Sequence, residues 1–169
     1  MTRRQALGKV TSQGLGDIFI FPGRGTGESI MEAINNNWSS IQGRLGSIVG
    51  AKTIYHDTPY FWTQNLVQNR LRELEAVDPN IRFDLLPAHA PDINIIENVF
   101  NVLQTRVQRK IRAVNETSGT RPNRAATVQI ILDSWEEIRG LETLIPNLYG
   151  SLPGRMAEIV RLNGDYCKY

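Results

Sequence analysis

Apolar residues recur along the chain with two periods, and these periods divide it into strands and helices. Short apolar or alternating runs bounded by glycine or proline predict strands at 5–12, 15–21, 51–56 and 81–86. Apolar residues three and four apart predict helices at 28–45, about 62–77, 95–112, about 123–138 and 152–162. The first two strands flank a glycine-containing turn and later strands are joined through helices, so the order predicts an α/β fold with a mixed sheet.

A polar segment interrupts this pattern. Residues 113–122 lack apolar periodicity and form the predicted linker. It separates a core at residues 1–112 from a helical carboxy-terminal tail at 123–169, which we assign to the same domain. A chain of 169 residues with 41% hydrophobic content is long enough to bury one sizeable core.

Composition excludes several classes of protein but does not identify one function. The net charge of +2 is too small by itself to indicate nucleic-acid binding. Cys167 is the only cysteine, which excludes an intrachain disulfide and a cysteine metal cluster and suits a reducing compartment. No apolar run approaches the roughly 18 residues of a membrane span, so we expect an intracellular protein with no membrane segment.

The most specific motif is LPAHAPDINIIENVF at residues 86–100. It resembles a stretch of mariner-type transposases that usually reads P-x-x-S-P-D-L-N-P-I-E-N-x-W. The positions that match it directly are Pro87, Pro91, Asp92, Asn94, Ile96, Glu97 and Asn98. Ala90 stands for the usual serine, Ile95 for the usual proline, and Phe100 for the aromatic residue.

Two further segments resemble the same family, in the same order. Residues 7–21 are similar to the family's second and third strands, which often read W-G-x-x-x-x-x-G-x-G-x-L. Residues 145–169 are similar to the family's ending, with matching positions at Ser151, Pro153, Arg155, Gly164 and Tyr169. The resemblance therefore covers nearly the whole chain.

The resemblance implies the RNase H-like fold of DDE transposases, a mixed sheet flanked by helices, here lacking its first strand and ending in a helical tail. It also implies metal-dependent DNA cleavage and strand transfer, with two Mg²⁺ or Mn²⁺ ions held by three carboxylates. The third of these acids corresponds to Glu97, in the first turn of a helix for which Asn94 is the expected N-cap. A glutamate in a first turn also complements the helix dipole without any metal, and that alternative stays open.

The other two acids correspond less directly. A one-residue gap in IYHDTPYFW, residues 54–62, aligns Asp57 with the second acid, although an aspartate after a strand is also an ordinary turn residue. His56 is a weaker replacement ligand because histidine suits softer metals. The only acid before residue 28 is Asp17, where the family has no metal ligand. The first acid is therefore missing, and the resemblance implies a chain that is catalytically incomplete by itself.

Basic residues late in the helix at 95–112 suggest phosphate contacts. They are Arg106, Arg109, Lys110 and Arg112. Cations near a helix end also complement its negative pole, which needs no DNA. Three functions follow from the resemblance: a truncated or host-retained transposase, a non-enzymatic module binding DNA, chromatin or protein, or a nuclease completed by a second chain. DNA, a protein or homodimer partner that completes the sheet edge, and a nuclear location are the corresponding expectations.

Overall fold

The computed structural model describes residues 6–21, 23, 26–46, 48, 50–56, 62, 64–87 and 91–164. The strands are β1 (Ala6–Thr11), β2 (Gly14–Ile20), β3 (Lys52–His56) and β4 (Ile81–Leu85). The helices are α1 (Gly27–Leu45), α2 (Asn65–Val77), α3 (Ile95–Ser118), α4 (Arg124–Arg139) and α5 (Leu144–Arg161). The order of strands and helices is the predicted one, but two helices are longer than predicted.

Helix α3 continues six residues past its predicted end at Arg112. It stops at Gly119, whose φ of 69° is left-handed and whose amide donates to the Asn115 carbonyl at 2.9 Å. The last turns are exposed, so their polar composition reflects solvent contact and not a loop. The connection to α4 is therefore residues 119–123, shorter than the predicted linker at 113–122.

Helix α5 begins at Leu144, eight residues before its predicted start at 152. Two prolines explain the difference, because proline usually breaks a helix. Pro146 lies in the first turn, where its missing amide costs nothing, and Pro153 is accommodated inside the helix. Apolar residues on one face of the early turns pack into a core, and this packing outweighs the local proline signal.

The chain forms two compact units. The first unit comprises Met1–Leu7 and Phe19–Ala90, and the second comprises Gly8–Ile18 and Pro91–Tyr169. Among the described residues, four strands form two hydrogen-bonded pairs, β1–β2 and β3–β4. The pair β1–β2 is a hairpin closed by the turn at residues 12–13.

The first unit is a β3–α2–β4 arrangement with α1 packed beside it. Strands β3 and β4 are parallel, in a register running from Lys52 opposite Ile81 to His56 opposite Leu85. Helix α1 starts with a capping box in which the Thr26 and Ser29 side chains each bond the other's backbone amide. The buried core of this unit is formed by Phe21, Ile30, Ala33, Ile34, Trp62, Val67, Leu71 and Leu74.

The second unit packs α3, α4 and α5 around the tip of the β1–β2 hairpin. Its buried core is formed by Leu15, Val99, Leu103, Trp135, Ile138 and Ile145. Trp135 is fully buried and donates its indole N–H to the Gly16 carbonyl at 2.9 Å. A β-carbon added to Gly8 would lie only 2.8 Å from the Trp135 ring, so the close approach of strand and helix requires glycine there.

Candidate functional site

The predicted metal ligand Glu97 lies at the third position of helix α3. The chain enters the helix through a turn at residues 91–94, closed by the Asn94 amide donating to the Pro91 carbonyl at 3.2 Å. Glu97 is half-buried, and its Oε1 accepts a hydrogen bond from the Asn94 side-chain amide at 3.3 Å. The helix start therefore fixes the backbone and one carboxylate oxygen of Glu97.

The predicted capping role of Asn94 is only half right. Asn94 does occupy the N-cap position, but its side chain accepts no hydrogen bond from the first turn. The residue is only 6% exposed, and its side-chain amide donates to Glu97 instead. The Asn94 backbone amide is already bonded to Pro91, so Glu97 does not close a capping box either. The Glu97 carboxylate therefore forms no hydrogen bond to the backbone amides at the start of the helix.

A buried arginine supports the turn that precedes Glu97. Arg155, on helix α5, is 6% exposed and donates from Nη1 to the Asp92 carbonyl at 3.0 Å. This bond ties α5 to the turn, because Asp92 lies at its centre. The sequence matched Arg155 only to the ending of the family, and its burial gives it a structural role that the motif did not reveal.

Glu97 has no ion-pair partner among the described residues, a state that it shares with Glu116 and Glu142 of the same unit. Asp17, Glu137 and Glu158 each form an ion pair at 3.6 Å or less. In the described part of the chain, no arginine, lysine or histidine lies within ion-pair distance of Glu97. A half-buried carboxylate with an oxygen not engaged by a cation suits a hard divalent ion.

The second predicted ligand, Asp57, lies outside the described residues. Its neighbour His56 is at the carboxyl end of β3, where it is buried and stacks on Trp62 with ring centroids 4.6 Å apart and planes 19° apart. That contact gives His56 a packing role in the first unit. The described residues contain no group of three or more histidine, cysteine, aspartate or glutamate side chains placed to hold one metal ion.

Asp17, the only acid before residue 28, is committed to ion pairs in the β1–β2 hairpin. Its Oδ1 lies 3.2 Å from Arg139 Nη2, and its Oδ2 lies 3.6 Å from Lys9 Nζ. Two cations therefore hold both of its oxygens.

The four predicted phosphate-binding residues divide into two pairs. Arg106 Nη1 and Lys110 Nζ bind the two oxygens of Glu137 on helix α4, at 3.1 Å and 2.7 Å. The hydrogen bond from Lys110, more than that from Arg106, holds the pKa of Glu137 below its ordinary value. Arg109 and Arg112 are exposed on α3. The structure thus joins Arg106 and Lys110 to the packing of α3 on α4 and leaves Arg109 and Arg112 facing solvent.

The chain was compared with protein families, with known sequences and with solved structures. No family model matches the chain. Over 83 residues it is 34% identical to the transposable element Tc3 transposase of Caenorhabditis elegans, a match that covers 49% of this chain and 22% of that protein. The chain thus spans about a fifth of the length of this curated relative.

Solved structures of a mariner transposase match almost the whole chain. The catalytic domain of Mos1 mariner transposase has a TM-score of 0.67 at 15% identity, covering 99% of this chain and 77% of that one. The Mos1 mariner paired end complex with manganese has a TM-score of 0.64 at 15% identity, covering 98% and 45%. These matches confirm the predicted resemblance and the RNase H-like α/β fold class. None of the described helices combines the length and apolar character needed to cross a lipid bilayer.

Proposed function

From the confirmed likeness to the catalytic domain of mariner-type transposases, we propose that this chain forms part of a DDE-type domain for metal-dependent DNA cleavage and strand transfer. Glu97 and Asp57 supply two carboxylates for Mg²⁺ or Mn²⁺. When bound, two such ions activate a water molecule and stabilise the leaving oxygen of a phosphodiester.

The state of the Glu97 carboxylate carries this proposal. The side chain is half-buried and bound by the Asn94 amide through one oxygen, and it has no ion-pair partner in the described part of the chain. A first-turn glutamate that served only the helix dipole would not need a buried asparagine to orient it. Buried polar groups that orient a carboxylate are typical of metal sites. Mos1 structures with magnesium and manganese support the choice of ion.

We further propose that the residues of this chain supply two of the family's three carboxylates. The first strand of the family's sheet carries the first acid, and the only acid near the start of this chain is Asp17. Arg139 and Lys9 neutralise the charge of the Asp17 carboxylate. Asp17 is therefore a poor candidate for the third carboxylate ligand of the metal ions. Two carboxylates hold a divalent ion more weakly than three, so we expect metal binding without efficient cleavage.

Paramagnetic broadening by Mn²⁺ tests the proposal at the level of single residues. Substoichiometric Mn²⁺ should broaden the amide signals of residues 94–98 first, and Glu97→Gln should abolish that effect. Glu116→Gln is the matched control, because Glu116 is an exposed glutamate on the same helix. Broadening that survives Glu97→Gln, or that is equally strong around Glu116, would mean that Glu97 is not a metal ligand.

A second candidate function is a DNA-binding module without chemistry, favoured by the exposure of Arg109 and Arg112. Both face solvent on α3, whereas Arg106 and Lys110 are held by Glu137. Two phosphate contacts would contribute a slope of roughly −0.9 each to the dependence of log affinity on log salt concentration. This module would bind DNA with or without a divalent ion.

Fluorescence anisotropy with a labelled DNA duplex separates the two functions. Replacing both Arg109 and Arg112 with glutamine should reduce the magnitude of the salt slope by roughly two, while Arg72→Gln, an exposed arginine on α2, should leave it unchanged. An unchanged slope in the double variant would exclude this surface as a DNA contact. Binding with no metal site at Glu97 would favour the module over the catalytic domain.

A further inference from the structure

Helix α5 buries an arginine and exposes apolar residues in its carboxyl-terminal half. Its two buried residues are Ile145, which packs into the core of the second unit, and Arg155, ten residues further along. Close to Arg155, Met156 and Val160 are 57% and 77% exposed. The hydrophobic effect favours the opposite arrangement, and burying a guanidinium costs free energy unless it is hydrogen-bonded. A departure of this kind from hydrophobic patterning is typical of functional positions.

The buried guanidinium of Arg155 is bonded to the turn that leads into helix α3. Its Nη1 donates to the Asp92 carbonyl at 3.0 Å. The turn is closed by the Asn94 amide, which donates to the Pro91 carbonyl at 3.2 Å. Because a charged donor forms a stronger hydrogen bond than a neutral one, Arg155 restrains this turn from helix α5.

The same turn holds the carboxylate of Glu97. The Asn94 side-chain amide donates to Glu97 Oε1 at 3.3 Å, and the Glu97 backbone amide donates to the Asn94 carbonyl at 3.1 Å. The side-chain amide of Asn98 donates to that carbonyl as well, at 3.2 Å. Asn94 is almost fully buried, so its side chain cannot be reoriented without movement of the turn. A displacement of Asp92 would therefore displace the hydrogen bond that orients Glu97.

We propose that Arg155 is a positioning residue for the Glu97 carboxylate and acts on it through the turn at residues 91–94. This role rests on the proposed function of Glu97 as a metal ligand. Side chains that orient a ligand govern metal affinity, because the ligand has to be held within about 0.5 Å of its binding geometry. The coupling is reciprocal, so a metal ion bound at Glu97 stabilises the docking of α5 in turn.

Calorimetric titration of arginine variants with Mn²⁺ measures the contribution of Arg155. Arg155→Met fills a similar volume but removes the donor and the charge, and we expect the Mn²⁺ dissociation constant to rise about tenfold. Arg155→Lys keeps a cationic donor and should recover part of that loss. Arg161→Gln is the matched control, because Arg161 lies on the same helix and pairs with Glu158 instead of the turn. Its dissociation constant should equal that of the unmodified chain.

Stability and metal affinity are expected to change independently. Replacing a buried charge with an apolar side chain is often neutral or stabilising, so Arg155→Met should remain folded in urea denaturation. Ile145→Val weakens the packing of the same helix in the core and should lower stability without weakening Mn²⁺ binding. An unchanged dissociation constant in Arg155→Met, or an equal rise in Ile145→Val, would overturn the proposal.

NMR of the Asn94 side-chain amide provides a readout that needs no metal ion. In the metal-free chain, Arg155→Met should shift these signals and speed their exchange with water, whereas Arg161→Gln and Ile145→Val should leave them unchanged. If the unmodified chain binds no Mn²⁺, the proposed metal role of Glu97 fails, and the Asn94 signals alone decide whether Arg155 has a positioning role. Unchanged Asn94 signals in Arg155→Met would exclude that role.

The reciprocal effect can be measured on the unmodified chain if Arg155→Met does not fold. Diamagnetic Mg²⁺, at a concentration that saturates the shifts of the amides at residues 94–98, should slow hydrogen exchange of the α5 amides at residues 155–161. Exchange in α5 that does not respond to saturating Mg²⁺ would show that the helix and the metal site are not coupled.

Discussion

Replacing Gly8 with alanine is expected to destabilise the second unit, because the new methyl group has nowhere to go. It would lie 2.8 Å from the Trp135 ring, 3.1 Å from Phe100 and 3.3 Å from Ile96. Trp135 is fully buried and held by its hydrogen bond to Gly16, so the ring cannot swing aside. The clash therefore has to be relieved by moving the strand or the packed helix.

The expected loss in the free energy of unfolding is the difference between two opposing contributions. Overpacking a well-filled core costs about 1–3 kcal/mol. Alanine also has fewer backbone conformations than glycine in the unfolded chain. This restriction stabilises the folded state by about 0.4–1 kcal/mol where alanine can adopt the native backbone conformation. The φ of Gly8 is not in the left-handed region, so no further backbone strain is added. With the midpoints of the two ranges, the net loss in the free energy of unfolding for Gly8→Ala is about 1.3 kcal/mol.

Urea denaturation followed by circular dichroism measures this loss, and Gly150→Ala is the matched control. Gly150 lies inside α5 of the same unit with no atom within 4 Å of the added methyl, so alanine there should stabilise by about 0.5–1 kcal/mol. Trp135→Phe alone should cost about 2–4 kcal/mol, and adding Gly8→Ala to it should cost little, because the smaller ring makes room. A Gly8→Ala variant as stable as the parent chain, or strictly additive effects of the two substitutions, would refute the close-contact argument.

The ion pairs on exposed helix faces give two further predictions. The pKa of Glu137 is held below its usual value, so Lys110→Met should raise it more than Arg106→Met, as followed by carboxyl NMR. This pair contributes to stability above about pH 4.5 and loses its contribution as the pH falls through the lowered pKa of the folded state. The pKa of Glu158 is lowered mainly by its hydrogen bond from Arg161, so Arg161→Gln should return it to the usual range; an unchanged titration would contradict the pairing.

Periodicity predicted most of the fold because the cores of both units select for it. Ile30 and Ile34 on α1, and Val99 and Leu103 on α3, recur four residues apart and are buried. The predicted bounds of α3 and α5 were wrong where the local sequence pattern and the packing of the folded chain favour different structures. The prolines of α5 suggested a break that core contacts overcome, and the last turns of α3 are polar because nothing packs on them.

The candidate site was predicted from the motif around Glu97, but its supporting contacts were not. Arg155 lies 63 residues along the chain from Asp92, and Glu137 lies 27 residues from Lys110. A single sequence gives no sign of which distant residues meet.

Calorimetric titration with Mn²⁺ tests the central claim most directly. The account predicts saturable binding by the chain, lost in both Asp57→Asn and Glu97→Gln and retained in Glu116→Gln. Substitution of aspartate by asparagine and glutamate by glutamine preserves shape while removing the charge that the ion requires. No binding by the unmodified chain, or equal binding by all three variants, would contradict a metal centre built on Asp57 and Glu97.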